Sequence, residues 1–289
     1  MKRTLLTLLL LSLAAAGLQA STVAVTGDVA DWQGEAVADL ILAEPSVEAV
    51  LLAGDTDNSK KTDLESFRRL YSGAWGRLIP KIRPAPGNHE SYAAPPFSGY
   101  KVFWGTAAHA PEMYYSFDLD GWHVVSLDSV AVVEDGAAAQ LAWLKKDLAA
   151  HPGKPVLAFW HYPYFSRFKH GGERAMKPFW EALYVHGPAL VMNGHNHAYE
   201  RYAPMDPGGK LVGEAMGIRQ FVVGPGGAKP TKQESKRAKG PAPERSNANA
   251  QHVGFFDLRP DGSYRFTVRN ERGVVVDSGA GRLIAPKAR

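Results

Sequence analysis

Two aspartates, one asparagine and three histidines recur in one setting along this chain. Each lies where a short apolar run gives out, most of them directly after a glycine: Gly27-Asp28, Gly54-Asp55, Gly87-Asn88, Trp160-His161 and Gly194-His195-Asn196-His197. In a sheet with alternating helices, the carboxyl ends of the strands share one edge, and ligand sites gather there. Residues far apart in sequence can therefore converge. Oxygen and imidazole donors together suit Zn²⁺, Mn²⁺, Fe or Mg²⁺. Six such groups exceed what one catalytic zinc with an open position takes. They suit two metals sharing a carboxylate, an arrangement that can clamp a transferring phosphoryl group. Taken singly, each has a plainer role: Gly-Asp is a common turn, Asn88-His89 fits a loop with a cap, and His161 beside Tyr162-Pro163 fits a packed ring. The ordered set carries the inference.

The elements that must position these groups alternate. Residues 22–26, 49–53, 82–85, 156–160 and 189–192 read as buried strands. Residues 35–44, 63–79, 137–150 and 174–186 carry apolar positions at helical spacing, the second of these loosened by Gly73 and Gly76. Residues 114–118 and 122–127 form a hairpin turning at Asp120-Gly121. Beyond Gly194 the pattern is β, with strands over 221–223, 253–258, 264–269 and 274–277. The expected architecture is α/β (α+β): a two-sheet sandwich with helices outside, donors on one edge, and the late strands as a meander packed alongside.

Composition bounds the rest. The chain has 289 residues, 45% hydrophobic and 21% charged, in the range of globular proteins. It contains no cysteine, which excludes disulfides and thiolate metal sites. A net charge of +4 is too small for a dedicated nucleic-acid binder, so no nucleic-acid partner is expected. Lys2-Arg3, a leucine-rich run to Leu13 and the small-residue stretch ending at Ala20 have the layout of a secretory signal peptide. The apolar run is short for a membrane span. Residues 1–20 are expected to be cleaved near Ala20, giving a secreted or periplasmic protein without stable membrane anchoring. Residues 21–289 are expected to form a single catalytic domain. Within it, residues 228–250 read as a mobile basic loop, in which Lys229, Lys232, Lys236, Arg237, Lys239 and Arg245 oppose Glu234 and Glu244. Such a loop could attract anionic substrate.

The ordered motifs resemble those of the calcineurin-like metallophosphoesterases. Within that superfamily, Pro86-Gly87-Asn88-His89-Glu90, Trp160-His161-Tyr162-Pro163 and the stretch from Gly194 to Tyr202 are most similar to the purple acid phosphatase branch, small bacterial members included. The resemblance implies that Asp55 bridges two metals, that Asp28 and His197 hold the first, and that Asn88, His161 and His195 hold the second. It implies a catalytic role for His89 beside the phosphate, as leaving-group acid, and one for His170 on the substrate side. The metals would be divalent or trivalent Zn, Mn or Fe. Two positions depart from the branch. Asn58 stands where a metal-binding tyrosine is usual, so a weak amide ligand is expected there and the phenolate colour is not. Ala30 stands where many superfamily members have a histidine. The β-sandwich domain that precedes the catalytic domain in larger plant members is also expected to be missing. The implied activity is hydrolysis of phosphomonoesters, a small phosphate ester being the partner. A phosphodiesterase or nucleotidase on the same metals, or a weakly active metal- or phosphate-binding protein, are the alternatives.

Overall fold

The structure is a computed structural model and describes residues 20–30, 34–236, 238 and 240–283. The segment expected to be a leader, apart from Ala20, lies outside the described residues, as do Arg237 and Lys239 of the basic segment. In chain order the elements are β1 (Ser21–Thr26), α1 (Glu35–Leu42), β2 (Val47–Ala53), α2 (Leu64–Leu70), α3 (Ala74–Leu78), β3 (Ile82–Ala85), α4 (Ser98–Trp104), β4 (Tyr115–Leu119) and β5 (Trp122–Ser126). There follow α5 (Ser129–Asp135), α6 (Ala138–Ala150), β6 (Val156–Trp160), α7 (Lys177–His186), β7 (Ala189–Asn193), β8 (Tyr199–Arg201), β9 (Ile218–Val223), β10 (Arg245–Asn247), β11 (His252–Leu258), β12 (Ser263–Asn270) and β13 (Val275–Arg282).

Two sheets face each other. One runs β13-β12-β11-β1-β2-β3, the other β10-β8-β9-β7-β6-β5-β4. Strand pleating explains how one run of apolar residues serves two cores. Val23 and Val25 point into the space between the sheets with Ala49, Leu51, Leu157, Phe159, Leu190 and Met192. Their neighbours turn outward: Ala24, Val50 and Leu52 pack under α1, α2 and α3, while Ala158, Trp160 and Val191 pack under α6 and α7. Strands covered on both faces must be apolar at every position, which is why they read as continuous runs. β12 instead alternates, with Tyr264, Phe266 and Val268 inward and Arg265 exposed, because only one of its faces is covered.

The expected sandwich is present, with several differences of detail. Residues 63–79 form two helices. The break at Gly73 lets the Glu35 carboxylate approach and accept from Ala74 N at 2.7 Å; a Cβ there would lie 2.6 Å from Glu35 Oε1. The short helices α4 and α5 are additional; Asp128 caps α5, accepting from Val130 N and Ala131 N. The late strands do not make a separate layer. β11–β13 extend the first sheet through an antiparallel β1–β11 pair, and β9 joins the second sheet parallel to β7. Inside 228–250, β10 pairs antiparallel with β8, and Ala228, Ala248 and Ala250 are buried. No described helix is long and apolar enough to cross a membrane.

Candidate metal centre

The parallel strands β1, β2 and β3 of one sheet and β6 and β7 of the other end at the same rim of the sandwich. Asp28, Asp55, Asn88, His161 and His195 stand just past those ends, and the structure brings all of them together. Three of the backbones turn sharply. Asp28, Asp55 and His195 adopt left-handed φ of 57°, 47° and 68°. A non-glycine residue held there costs of order 1 kcal/mol or more, and such conformations persist where the surroundings enforce them, often at functional sites. Here the loops lace together: Asp28 N donates to Gly54 O (3.1 Å), Val29 N to Asp55 O (2.9 Å), and His195 N to Asp28 Oδ1 (3.1 Å). Gly54, itself at φ 78°, lies so close to the His161 ring that a Cβ would collide with it.

The densest point is His161 Nε2. It lies 3.0 Å from Asn88 Oδ1, 3.2 Å from His195 Nδ1 and 3.3 Å from Asp55 Oδ2. Donors around one tetrahedral zinc stand roughly 3.3 Å apart, given metal–ligand distances near 2.0–2.1 Å. His161 Nδ1 is paired with the Ala53 carbonyl (3.0 Å), which fixes the ring with Nε2 toward the cluster, as second-sphere partners do for metal-bound histidines. His161 is fully buried, and burial alone would lower its pKa; the Asp55 carboxylate outweighs that and raises it to about 9. Burial likewise pushes the Asp55 carboxyl up, but the charges of His161 and His89 and their hydrogen bonds win and hold it below the usual carboxylate range. The charges of Asp55 and His161 thus favour each other.

The second focus is Asp28. Its carboxylate is fully buried, and Oδ2 has no hydrogen-bond partner. An unpaired buried carboxylate oxygen is costly, and burial raises the Asp28 pKa against the pull of His197. His197 Nε2 lies 3.6 Å from Asp28 Oδ1, while its Nδ1 pairs with Lys229 O (3.0 Å). The basic segment therefore starts against the site, and Thr231 N also donates to His197 O (2.9 Å). Asp28, Asp55 and His161 offer three donor atoms within 4.8 Å of one another. The orphaned oxygen and the spacing around His161 both fit a cation.

The remaining expected residues surround this core. His89 N donates to Asp55 Oδ1 (2.8 Å), its Nδ1 pairs with Ser59 O (2.6 Å), and its Nε2 faces Asp55 Oδ2 at 3.8 Å. His170 is at the outer side, its ring 4.5 Å from that of His195 and 6.5 Å from that of His197, its N donating to Asn196 Oδ1. Asn58 differs from the ligand role expected of it. Its Nδ2 donates to Asp55 Oδ2 at 2.9 Å, so the amide orients the carboxylate and presents no oxygen to it.

Two buried glutamates escaped the sequence reading. Glu90 accepts from Gly87 N (2.7 Å), Asp57 N (3.1 Å) and Thr56 Oγ1 (2.9 Å), tying the β2 and β3 loops together. Burial and the Asp55 charge push its pKa up to about 8. Glu200 accepts from Ser166 Oγ, from Arg167 N (2.8 Å) and from Tyr202 OH (2.9 Å), tying the loop after His161 to β8. Both belong to the motifs quoted above, so their signal was a charged residue fixed beside a donor.

A second group, Asp118, His123 and His151, also brings donor atoms close together. It lies at the opposite end of the second sheet, where β5 begins. Both nitrogens of His123 are engaged, with Asp118 Oδ1 (3.1 Å) and Asp147 Oδ2 (2.7 Å). The His123 and His151 rings stack face to face at 3.8 Å, so their planes do not converge on a common ion. This is a structural hydrogen-bonded stack.

Comparison with known proteins decides the lineage. The calcineurin-like phosphoesterase family model matches residues 21–199, more than half of the chain and every residue of the two foci. The chain belongs to this family. Among curated relatives, the probable purple acid phosphatase 20 of Arabidopsis thaliana is 33% identical over 164 residues, covering 48% of this chain and 38% of that protein. The chain thus spans well under half the length of that relative. Among solved structures, GAP50, described as the anchor in the inner membrane complex of Plasmodium, superposes with a TM-score of 0.72 at 13% identity, covering 93% of this chain and 90% of that one. The purple acid phosphatase PPD1 from yellow lupin (Lupinus luteus) seeds gives 0.65 at 16% identity, over 92% of this chain and 54% of that one. At these identities the structural likeness concerns the fold, and it agrees with the two-sheet sandwich of the calcineurin-like phosphoesterases.

Proposed function

We propose that this calcineurin-like phosphoesterase is an exported hydrolase of phosphomonoesters that works with two metal ions. The observation that carries the reading is the pair of foci sharing Asp55. Asn88, His161 and His195 surround one of them. At the other, Asp28 carries a buried oxygen without a partner and faces His197. In this reading Asp55 serves both metals, which would be Zn, Mn or Fe. Two bound metals supply charge to neutralise a transferring phosphoryl group and acidify the attacking water. The chain's own groups do the rest. Asn58 Nδ2 and His89 N hold the two Asp55 oxygens in place. His89 is fixed through Nδ1 on the Ser59 carbonyl with Nε2 3.8 Å from Asp55 Oδ2, beside the carboxylate the two foci share, from where it would donate a proton to a departing alkoxide. His170 stands across the opening, where a second imidazole can contact substrate oxygen.

Residues 1–20 are read as the cleaved leader and 21–289 as one catalytic domain, placing the protein outside the cytoplasm. Likeness to a protein named a probable purple acid phosphatase supports the choice of monoesters over diesters as substrates. The test compares p-nitrophenyl phosphate with bis-p-nitrophenyl phosphate, before and after chelation and with Zn²⁺ or Mn²⁺ added back. Monoester turnover that chelation abolishes and metal restores is the expected outcome. Turnover indifferent to chelation would overturn the metal reading. Faster diester turnover would replace the monoesterase by a diesterase, and no turnover of either would leave a binding protein.

A further inference from the structure

Beside the foci opens a cavity of about 540 Å³ whose floor includes Asn88, His170 and His195. A phosphate group fills only part of such a space, so the remainder belongs to the leaving alcohol. Its walls are two tyrosines and a strip of valine: Tyr92 and Tyr162, with Val130 and Val133 from α5. Tyr92 and Val133 are exposed, so this apolar lining faces the opening. Flat apolar walls of this kind favour a ring-bearing group. The charge on the walls has one sign. Glu134 and Glu173 line the cavity, and among the described lining residues there is no lysine or arginine. Glu173 is held in place by accepting from Ala175 N at 2.9 Å. Lys169, next to His170, is exposed but does not line the space.

We propose that this cavity selects phosphomonoesters by the charge of their alcohol, taking a ring-bearing alcohol that is cationic or neutral and rejecting one that carries a second anion. The inference rests on the phosphoesterase reading above and goes beyond it. A phosphate ester is drawn to the metals whatever its alcohol; Glu134 and Glu173 act only on what extends beyond the ester. A cation there gains from both carboxylates, and a second phosphate or a carboxylate is repelled by both. Discrimination of this kind works by penalising the wrong partner as much as by favouring the right one.

Three phenyl phosphates that differ only at the para position test this: aminomethyl, unsubstituted and carboxymethyl. The expected order of kcat/KM is aminomethyl, then unsubstituted, then carboxymethyl, with the spread mostly in KM. Each carboxylate should contribute roughly three- to tenfold between the cationic and anionic esters at low salt, shrinking as salt screens the exposed charges. In a Glu134→Gln, Glu173→Gln double variant the cation-to-anion ratio should fall toward one. Intrinsic leaving-group reactivity is the same for both proteins and cancels in that comparison. Glu173→Gln keeps an oxygen for Ala175 N, and Glu134→Gln alone is the fallback if the double variant does not fold. Hydrolysis of all three esters with a flat or inverted order, or an order that the variants leave unchanged, would overturn the inference while the phosphoesterase reading stood. Failure to hydrolyse any of them with metal present would bring down that reading, and the inference with it.

Discussion

His252 should make this protein sensitive to acid through stability, independently of any metal. The ring is fully buried at the start of β11, its Nδ1 pairing with Gly224 O at 3.0 Å and its Nε2 without a partner. Burial lowers its pKa to about 4, against an ordinary value of 6.5, outweighing the hydrogen bond to Gly224 O and the Glu271 charge. Above pH 6.5 the ring is neutral folded and unfolded, so it adds no pH dependence. Between 6.5 and about 4 the unfolded chain takes up the proton and the folded chain does not. Stability is lost as pH falls through this window, by about 3 kcal/mol once both states are protonated. Asp128 works the other way: burial raises its pKa to about 6, so its ionised form burdens the fold at neutral pH and that burden lifts on acidification. Asp128 thus opposes His252, and Glu90, His161 and His170 also carry shifted pKa values, so the parent's own pH profile does not isolate the His252 contribution. The informative perturbation is His252→Asn, which keeps a donor for Gly224 O and removes the titration. At pH 7.5 the variant should be less stable, because it loses the ring's packing against Tyr199. By pH 4 the gap should close by up to about 3 kcal/mol, on the order of 6–10 °C in Tm. Urea unfolding of both chelator-treated proteins from pH 4 to 8 measures it. A parent–variant gap that stays constant over that range would refute the argument.

Asp55→Ala should reduce monoester turnover by roughly a thousandfold or more and lower bound metal, read by elemental analysis, further than loss of either His195 or His197, since it serves both foci. Gly54→Ala should destabilise by about 2 kcal/mol or more in thermal unfolding and weaken metal retention, because the new Cβ meets the His161 ring and the φ of 78° is unfavourable for alanine. The active protein should show no purple absorption band: position 58 is asparagine, Tyr71 OH donates to Thr56 O, and Tyr92 OH accepts from Asn88 Nδ2. A strong visible band in the purified protein would show that another tyrosine reaches the metal.

Much of the fold was legible because pleating leaves a record. Strands covered on two faces demanded apolar runs at β1, β2, β6 and β7, and Asp120-Gly121 supplied the two positive φ values, 43° and 86°, of a tight hairpin turn. What escaped was short or held by backbone alone. α4 and α5 span seven residues each, too few for a periodicity to emerge, although Asp128 was a readable cap. β10 is Arg-Ser-Asn, exposed or half-exposed throughout, and joins β8 only by main-chain pairing, which leaves no mark in side-chain pattern. The merging of the late strands into both sheets was equally hidden, since register between distant strands is set by shape in three dimensions.

The candidate site shows the same division at finer scale. Residues that face the cluster were found because each closes an apolar strand, and that position exists in one dimension. The groups that hold those residues do not share it. Glu90 and Glu200 are fully buried and do not line the cavity, and each gathers donors from a neighbouring loop. Each sits on a different side of the cluster, Glu90 joining the loops of the first sheet and Glu200 those of the second. Glu90 accepts main-chain N–H groups from two loops, and Glu200 ties the Ser166-Arg167 loop to its own strand; such contacts fix spacing, and spacing decides whether the oxygens and nitrogens around His161 can meet one ion. The precision of the centre is therefore set by residues one layer behind it. Glu90 directly follows Asn88 and His89 in sequence, and Glu200 follows His195 and His197 by a few residues, so each support is encoded beside the site groups it steadies.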